Sequence, residues 1–261
     1  MDDSPISGQE PTGNEPNTLA LVGAVGGAGA TRLTVECAAA LASTGRDVAV
    51  VDAAYATQGL SAYCSGRLDP DVTTCVIDDR PLDEGLVSLP IDAPGRVTCL
   101  PAYAPFERLA RAKRPEAAQR LEQLVDGATN RFDAVLLDAP PVAANQAVAA
   151  VTAAERVALV TPDSRRGADA LPRAADRLRD LGVVPDCEVA NAGTGTTAGT
   201  VQRAAVTVPA SDATSPGAAP ACLDGGAFGS EIASLVAGTL ETRVELASDG
   251  GLGDYVPRLS E

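Results

Sequence analysis

Short apolar runs alternate with longer amphipathic stretches along most of the chain. The first three are "LALVGA" at 19–24, a helical pattern over 31–44 that stops at Gly45, and "DVAVVD" at 47–52. Apolar runs of this length predict strands, and apolar residues spaced at i, i+3 and i+4 predict helices. The order strand, helix, strand is a βαβ unit.

The same alternation continues towards the C-terminus. Further strands are predicted at 96–101, 132–138, 156–161, 186–191 and 204–209, and further helices at 108–128, 145–154, 167–182 and 229–244. Strands that are apolar throughout and separated by helices indicate a parallel sheet buried on both faces. The predicted fold class is therefore α/β, with a doubly wound, mainly parallel sheet flanked by helices.

The sequence predicts one domain over 18–244, with no internal repeat and no second domain. Residues 1–17 are polar and contain Pro, Gly and Asn, so a disordered tail is expected there. Residues 245–261 are expected to form an acidic C-terminal tail. A cytoplasmic protein without a membrane segment is predicted, since the first residues lack a signal-peptide pattern and no apolar run is long enough to cross a bilayer.

Charge and cysteine content narrow the function classes. The chain has 35 acidic and 20 basic residues, a formal net charge of −15, and no histidine. Such a balance disfavours a broad nucleic-acid footprint, which needs a basic face. It is also typical of proteins from organisms with molar internal salt, where screening offsets self-repulsion, and we hypothesise a halophilic source. The six cysteines form no C-x-x-C pair, so free thiols are expected rather than a zinc site.

A glycine-rich turn, "VGGAGATR" at 25–32, follows the first predicted strand. In a doubly wound sheet this turn is the usual site for an anion. Glycines let backbone N–H groups point at phosphate oxygens, and the following helix presents its positive N-terminus. The turn predicts a phosphate-binding loop; the alternative is a tight turn without a ligand.

A short-chain dehydrogenase is a second interpretation of the same glycines. The features that fit it are Gly23, Gly27, Gly29, Asp52 as the ribose ligand and an "NAG" at Asn191. That chemistry needs a Tyr-x-x-x-Lys pair, yet Leu109 stands four positions before the only lysine, Lys113. The "NAG" also follows too many strands, so this interpretation is disfavoured.

The loop and its neighbours resemble, in order, the motifs of the ParA/MinD family of P-loop ATPases. Residues 25–32 are similar to the deviant Walker A loop K-G-G-x-G-K-T-T, "VAVVDAAYATQGLS" to D-x-D…G-N-L-S, and "FDAVLLDAPP" to the Walker B region. Further on, "AAERVALVTPDSRRGADAL", "EVANAG" and "VTVPASD" stand where the family has A-A-D-x-V, its adenine-reading asparagine and I-P-x-D. The chain is therefore identified as a ParA/MinD-like protein with a degenerate P-loop.

The resemblance implies ATP and Mg²⁺ as cofactors and assigns roles to matching residues. Backbone amides would surround the β-phosphate at Gly26, Gly27, Ala28, Gly29, Ala30 and Thr31. The Mg²⁺ would be held by Thr31, Asp52 and Asp138. The base would be contacted by Asn191, Pro209, Ser211 and Asp212. The alternatives are a solvated strand end for Asp138 and a turn residue for Asn191.

Three departures from the family pattern affect catalysis. Ala30 replaces the loop lysine, Val25 replaces the lysine that reaches across a dimer, and Ala54 replaces the second aspartate of D-x-D. A charge-assisted hydrogen bond contributes about 1.5 to 3 kcal/mol, so nucleotide binding is expected to weaken roughly ten- to a hundred-fold. Phosphoryl transfer depends almost wholly on positioning and charge stabilisation, so weak or absent hydrolysis is expected.

Arg32 stands in place of the family's second threonine. A forked donor on the first helical turn is suited to a phosphate, so Arg32 is a candidate for restoring the lost positive charge. The alternative is an exposed helix residue.

The resemblance predicts a nucleotide-dependent switch in positioning or chromosome partitioning that forms a homodimer on nucleotide binding and meets an unknown protein partner. A nucleotide-free pseudo-ATPase scaffold is the alternative. Surface arginines of such proteins meet DNA or a partner, and candidates here are Arg108, Arg111, Lys113, Arg114, Arg120, Arg165, Arg166 and Arg173. The net charge does not support DNA, a solvated face is the alternative, and no counterpart exists to the basic amphipathic C-terminal helix with which MinD proteins bind membranes.

Overall fold

One eight-stranded sheet forms the centre of the computed structural model, which describes residues 15–193 and 199–246. The strands are β1 (Thr18–Gly23), β2 (Asp47–Asp52), β3 (Val87–Leu89), β4 (Arg96–Leu100), β5 (Ala134–Ala139), β6 (Arg156–Pro162), β7 (Cys187–Asn191) and β8 (Val206–Val208). Their order is β3-β4-β2-β5-β1-β6-β7-β8. Neighbours are parallel except β3 and β4, which are antiparallel. The predicted doubly wound, mainly parallel sheet is confirmed.

Helices cover both faces of this sheet. They are α1 (Ala30–Ala42), α2 (Val72–Ile77), α3 (Leu82–Gly85), α4 (Phe106–Ala112), α5 (Pro115–Thr129), α6 (Asn145–Ala153), α7 (Arg165–Asp180) and α8 (Gly226–Leu240). Apolar residues of α1 and α8 pack with one set of strand side chains, and those of α4 to α7 pack with the other. Successive residues of β1 alternate between these two cores, as the pleat of a strand requires.

The helix predicted over 108–128 is wrong as a single element. Pro115 begins α5, and Arg114 before it is extended, with ψ 156°. A proline disfavours helical backbone in the preceding residue but suits the first position of a new helix, so the segment divides into α4 and α5. The edge strand β3 and the short helices α2 and α3 were not predicted.

The cysteines, the length of the helices and the chain ends were also subjects of prediction. The six cysteines are free thiols, as predicted, and Cys64 is the one that is not fully buried. None of the helices in the described ranges is long and apolar enough to cross a bilayer. Most of the two predicted tails, 1–14 and 247–261, lies outside the described residues, so the domain bounds stay a prediction.

Candidate functional site

The glycine-rich loop joins the C-terminal end of β1 to the first turn of α1. Gly27 and Gly29 have φ angles of 77° and 89°, a left-handed backbone that glycine adopts without a side-chain clash. Gly29 is the N-cap of α1, no side chain caps the first amides, and the first turn holds no acidic residue. The amides and the positive end of the helix dipole therefore favour an anion at this position.

Asn191, the last residue of β7, packs directly against this loop. Its Nδ2 donates a hydrogen bond to the carbonyl oxygen of Ala28 at 3.0 Å. A Cβ on Gly29 would lie 2.1 Å from that same nitrogen. The Asn191 side chain is therefore hydrogen-bonded to the loop. The interpretation of Asn191 as a turn residue is wrong, because it lies in β7. Its role towards a base stays a prediction.

Thr31, Asp52 and Asp138, the predicted metal-binding residues, meet at the carboxyl ends of β2 and β5. The two aspartates are paired in the parallel register of these strands. The Thr31 hydroxyl donates to Asp138 Oδ2 at 2.7 Å. Asp138 is only 1% exposed, so the alternative of a solvated strand end is wrong. The structure brings together what the sequence separates by about a hundred residues.

Both buried carboxylates have a raised pKa. Burial raises the pKa of Asp138 to about 6, against the lowering effect of the Thr31 hydrogen bond. Burial, followed by the charge of Asp138, raises the pKa of Asp52, although the amides of Ala102 and Ala54 donate to it. Two adjacent acids with raised pKa values form a site whose charge a cation would neutralise.

This donor set fits Mg²⁺. The ion takes oxygen ligands and is commonly held by one or two protein carboxylates together with phosphate oxygens and water. Two carboxylates and one hydroxyl match that pattern. Residues 15–193 and 199–246 contain no cluster of three or more His, Cys, Asp or Glu side chains able to hold a metal.

The segment after β2 approaches the Thr31 hydroxyl closely. Gln58 has a left-handed φ of 52° and precedes a 3₁₀ turn over Gly59–Tyr63. A Cβ on Gly59 would lie 3.1 Å from Thr31 Oγ1, a tighter contact than a side chain normally makes. The sequence assigned no role to either residue, although Gly59 belongs to the quoted motif "GLS".

Arg32 is not an exposed helix residue, so that alternative is wrong. Its side chain is 17% exposed, and Nε donates to Glu36 Oε1 at 2.5 Å. Nη1 donates to the carbonyl oxygen of Ala213 at 2.7 Å. The guanidinium therefore faces the segment after β8, and its predicted contact with a phosphate stays a prediction.

Glu36 is a buried acid beside the site that sequence reasoning missed. It is fully buried, and its carboxylate also accepts hydrogen bonds from the amides of Ala221 and Cys222. The available signal was a glutamate inside the apolar pattern of α1. Glu36 and Arg32 together hold the segment 213–222 against the first turns of α1.

The predicted base-contacting residues Pro209, Ser211 and Asp212 follow β8. The end of this strand is paired with Asn191, so all of them start from the same sheet edge. Ser211 Oγ accepts a hydrogen bond from the amide of Ala213, whose carbonyl receives Arg32. All the predicted nucleotide- and metal-binding residues therefore lie at, or directly follow, the carboxyl ends of the strands. Direct contact of this segment with a base stays a prediction.

A glycine loop between β1 and α1, with a hydroxyl and two acids at neighbouring strand ends, defines the P-loop class of nucleotide-binding domains. A family model described as an AAA domain matches residues 17–179. The chain belongs to this family and is a ParA/MinD-type P-loop ATPase fold. The dehydrogenase interpretation is therefore wrong. No curated protein sequence matches the chain.

Solved structures show the same fold. The septum site-determining protein MinD from Pyrococcus horikoshii OT3, complexed with Mg-ADP, is 21% identical over 67% of this chain and 70% of its own, with a TM-score of 0.55. MinD from Aquifex aeolicus in a MinC:MinD complex is 20% identical over 68% of each chain, with a TM-score of 0.54. Cobyrinic acid a,c-diamide synthase from Mycobacterium smegmatis, with ADP and magnesium, is 18% identical over 89% of this chain and 99% of its own, with a TM-score of 0.63.

Proposed function

We propose that the protein is a cytoplasmic ATP-binding switch of the ParA/MinD kind that acts in positioning or partitioning, with weak or absent ATP hydrolysis. The observation that carries the proposal is the hydrogen bond from Thr31 to Asp138, beside Asp52 and at the start of α1. A hydroxyl and two carboxylates in this place have a clear use if a nucleotide-bound Mg²⁺ completes the site.

The chain's own groups would divide the work of binding. The amides of 26–31 would receive the phosphates, since Gly27 and Gly29 shape the loop around the uncapped start of α1. Thr31, Asp52 and Asp138 would hold Mg²⁺, which supplies charge neutralisation and a template for the phosphate oxygens.

Hydrolysis is disfavoured by the missing groups. Ala54 is buried where the family has its second aspartate, and its amide donates to Asp52 Oδ1 at 2.7 Å. That contact orients the first acid, but a methyl group cannot position an attacking water. Ala30 also replaces the loop lysine. The site therefore retains the groups that would bind the nucleotide and lacks the groups that would stabilise the charge of the transition state.

Two solved structures of similar fold support the proposed role in positioning and partner binding. One solved MinD is named for septum-site determination and another is bound to MinC. We propose a homodimer on nucleotide binding and a protein partner for this chain. DNA remains the weaker choice because the net charge is −15.

A nucleotide-free scaffold of the same fold is the second candidate. It is favoured by the Arg32 guanidinium, whose Nε and Nη1 already donate to Glu36 and Ala213, so that only Nη2 has no partner among the described residues. Protein contacts alone would then carry the function.

Calorimetric titration with Mg-ATP in molar salt separates the two candidates. The switch predicts measurable heat and a thermal shift that depends on Mg²⁺. Thr31→Val should abolish that dependence, because it removes the hydroxyl beside Asp138. Thr44→Val is the control, since its hydroxyl bonds only to Leu41 O at the far end of α1. No heat and no thermal shift at millimolar nucleotide would reject the switch in favour of the scaffold.

A further inference from the structure

An exposed aromatic and basic surface follows β4. Tyr103 is 63% exposed and Phe106 is 83% exposed. Arg111, Lys113 and Arg114 follow on α4 and at its end. We call these five residues the α4 surface. Tyrosine, phenylalanine and arginine are enriched in protein interfaces, and tyrosine and arginine are frequent among their energetic hot spots.

The positive charges of this surface are not neutralised internally. Arg108 on the same helix pairs with Asp78 at 3.5 Å. In contrast, Arg111, Lys113 and Arg114 make no ion pair within residues 15–193 and 199–246. On a chain with a net charge of −15, three unpaired cations within four residues attract acidic groups that the rest of the molecule repels.

A pocket of about 340 Å³ lies beside these cations. Val76 and Ile77 of α2 and Ala117 of α5 supply apolar lining, and Arg111 and Arg114 supply the charge. A pocket of this kind suits an apolar side chain flanked by a carboxylate. The one acid in its lining is Glu116.

The backbone of Tyr103 and its two neighbours is held in place by side chains of other segments. The amide of Ala102 donates to Asp52, that of Tyr103 donates to Asp71 at 2.8 Å, and that of Ala104 donates to Gln58 at 3.1 Å. Gln58 Nε2 also donates to the carbonyl oxygen of Ala104 at 3.0 Å. A surface fixed in this way loses little conformational entropy when a partner binds.

We propose that the α4 surface docks an acidic segment of a partner protein, with an apolar side chain of that segment entering the pocket beside Arg111 and Arg114. Duplex DNA fits less well, because Glu107 and Glu116 interrupt the positive charge that a phosphate backbone would follow. A second copy of the chain is an outcome that the sedimentation arm of the test distinguishes. This inference names the docking site for the partner and rests on the proposed function only where nucleotide is concerned.

The nucleotide site is connected to this surface through two residues. Asp52 accepts the Ala102 amide and is also a candidate ligand of Mg²⁺. The Gln58 side chain makes two hydrogen bonds with the backbone of Ala104. The next residue, Gly59, lies close to the Thr31 hydroxyl. Occupancy of the site by Mg-ATP therefore should change affinity at the α4 surface.

The test uses the full chain and labelled synthetic 15-residue peptides in fluorescence anisotropy. One peptide combines Asp and Glu with Leu and Phe, a second replaces its acids by Asn and Gln, and a third replaces its apolar residues by Ser. A 20-base-pair duplex is the fourth probe. The variants are Phe106→Ala and the double Arg111→Glu/Arg114→Glu. Their matched controls are the exposed Val184→Ala and the charge-equivalent double Arg67→Glu/Arg243→Glu, at two exposed arginines outside the α4 surface.

We expect only the acidic apolar peptide to bind, at least tenfold more weakly to the two variants and unchanged to the controls. No binding, equal binding to the variants, or preference for the duplex would overturn the docking site. Variants that change the sedimentation of the chain alone would show that a second copy occupies it, which also overturns the proposal. All of this is measured without nucleotide, so failure of ATP binding leaves these results intact. Added Mg-ATP then tests the connection, for which a change of threefold or more is expected and no change rejects it.

Discussion

Arg32 and Glu36 form an ion pair inside the protein, one helical turn apart on α1. Their Nε and Oε1 atoms are 2.5 Å apart, and their side chains are 17% and 0% exposed. Arg32 stands where the family's loop has its second threonine. This chain therefore has a buried charge pair at a position where a hydroxyl is usual. The pair connects α1 to the segment after β8 through Ala213, Ala221 and Cys222.

Removing the arginine should strongly destabilise the fold. Arg32→Ala leaves the buried Glu36 without its cation, and breaking a buried pair in this way costs about 3 to 5 kcal/mol. Arg80→Ala removes a pair with Glu84 at the same i, i+4 spacing, but that pair is exposed and should contribute less than about 1 kcal/mol. Urea unfolding of both variants measures the difference. Equal small losses would show that the Glu36 amide contacts suffice.

The glycine loop should tolerate a methyl group at one position and not at another. Gly29→Ala places a Cβ 2.1 Å from Asn191 Nδ2 at a φ of +89°, so we expect a loss of about 1 to 3 kcal/mol in stability. Gly26→Ala is the control within the loop, since nothing lies within 4 Å of its added Cβ. Thermal unfolding compares them. A Gly29→Ala protein as stable as the control would contradict the left-handed loop.

The acidic pair predicts how stability depends on pH when no metal is bound. Burial raises the pKa of Asp138 from 3.8 to about 6, so the folded chain holds a proton that the unfolded chain releases. This contribution is fully present below about pH 3.8 and is lost as the pH rises through 6. Asp138→Asn should remove this part of the decrease in unfolding free energy with rising pH. Asp126→Asn, at an exposed site, should leave the decrease unchanged. Urea unfolding at pH 4 to 7 gives the slopes, and identical slopes for the two variants would refute the assignment.

Restoring the loop lysine should strengthen nucleotide binding. Ala30→Lys adds a charge-assisted contact worth about 1.5 to 3 kcal/mol, so ATP affinity should rise roughly ten- to a hundred-fold. Ala30→Gln has a similar length without the charge and serves as the control. Titration calorimetry in Mg-ATP measures both. A gain shared by the glutamine variant would point to packing rather than charge.

Salt should stabilise the protein. A net charge of −15 repels itself, and screening shortens the Debye length to about 3 Å at 1 M salt. We therefore expect the melting temperature to rise from 0.1 M to molar salt, as the halophile hypothesis requires. Unchanged stability down to low salt would reject that hypothesis.

The sequence determined the architecture, and it predicted which polar residues lie together at the carboxyl ends of the strands. Strand periods, helix periods and the order of motifs depend on local chemistry, so β2 was predicted at its observed bounds. Asp52 and Asp138 lie side by side, and their role as metal ligands stays a prediction. The break between α4 and α5 was missed, although it depends on local chemistry, because Pro115 acts on the residue next to it.

Tertiary structure decided where long side chains and loop segments find their partners. The sequence predicted that Arg32 contacts either a phosphate or solvent. Its guanidinium instead donates hydrogen bonds to Glu36 and to Ala213, which is 181 residues away. The exposure of Phe106 and the support of its loop by Asp52, Asp71 and Gln58 were equally out of reach. Local patterns constrain backbone dihedrals and buried faces, whereas these contacts depend on distant segments that only the packed sheet brings within hydrogen-bond distance.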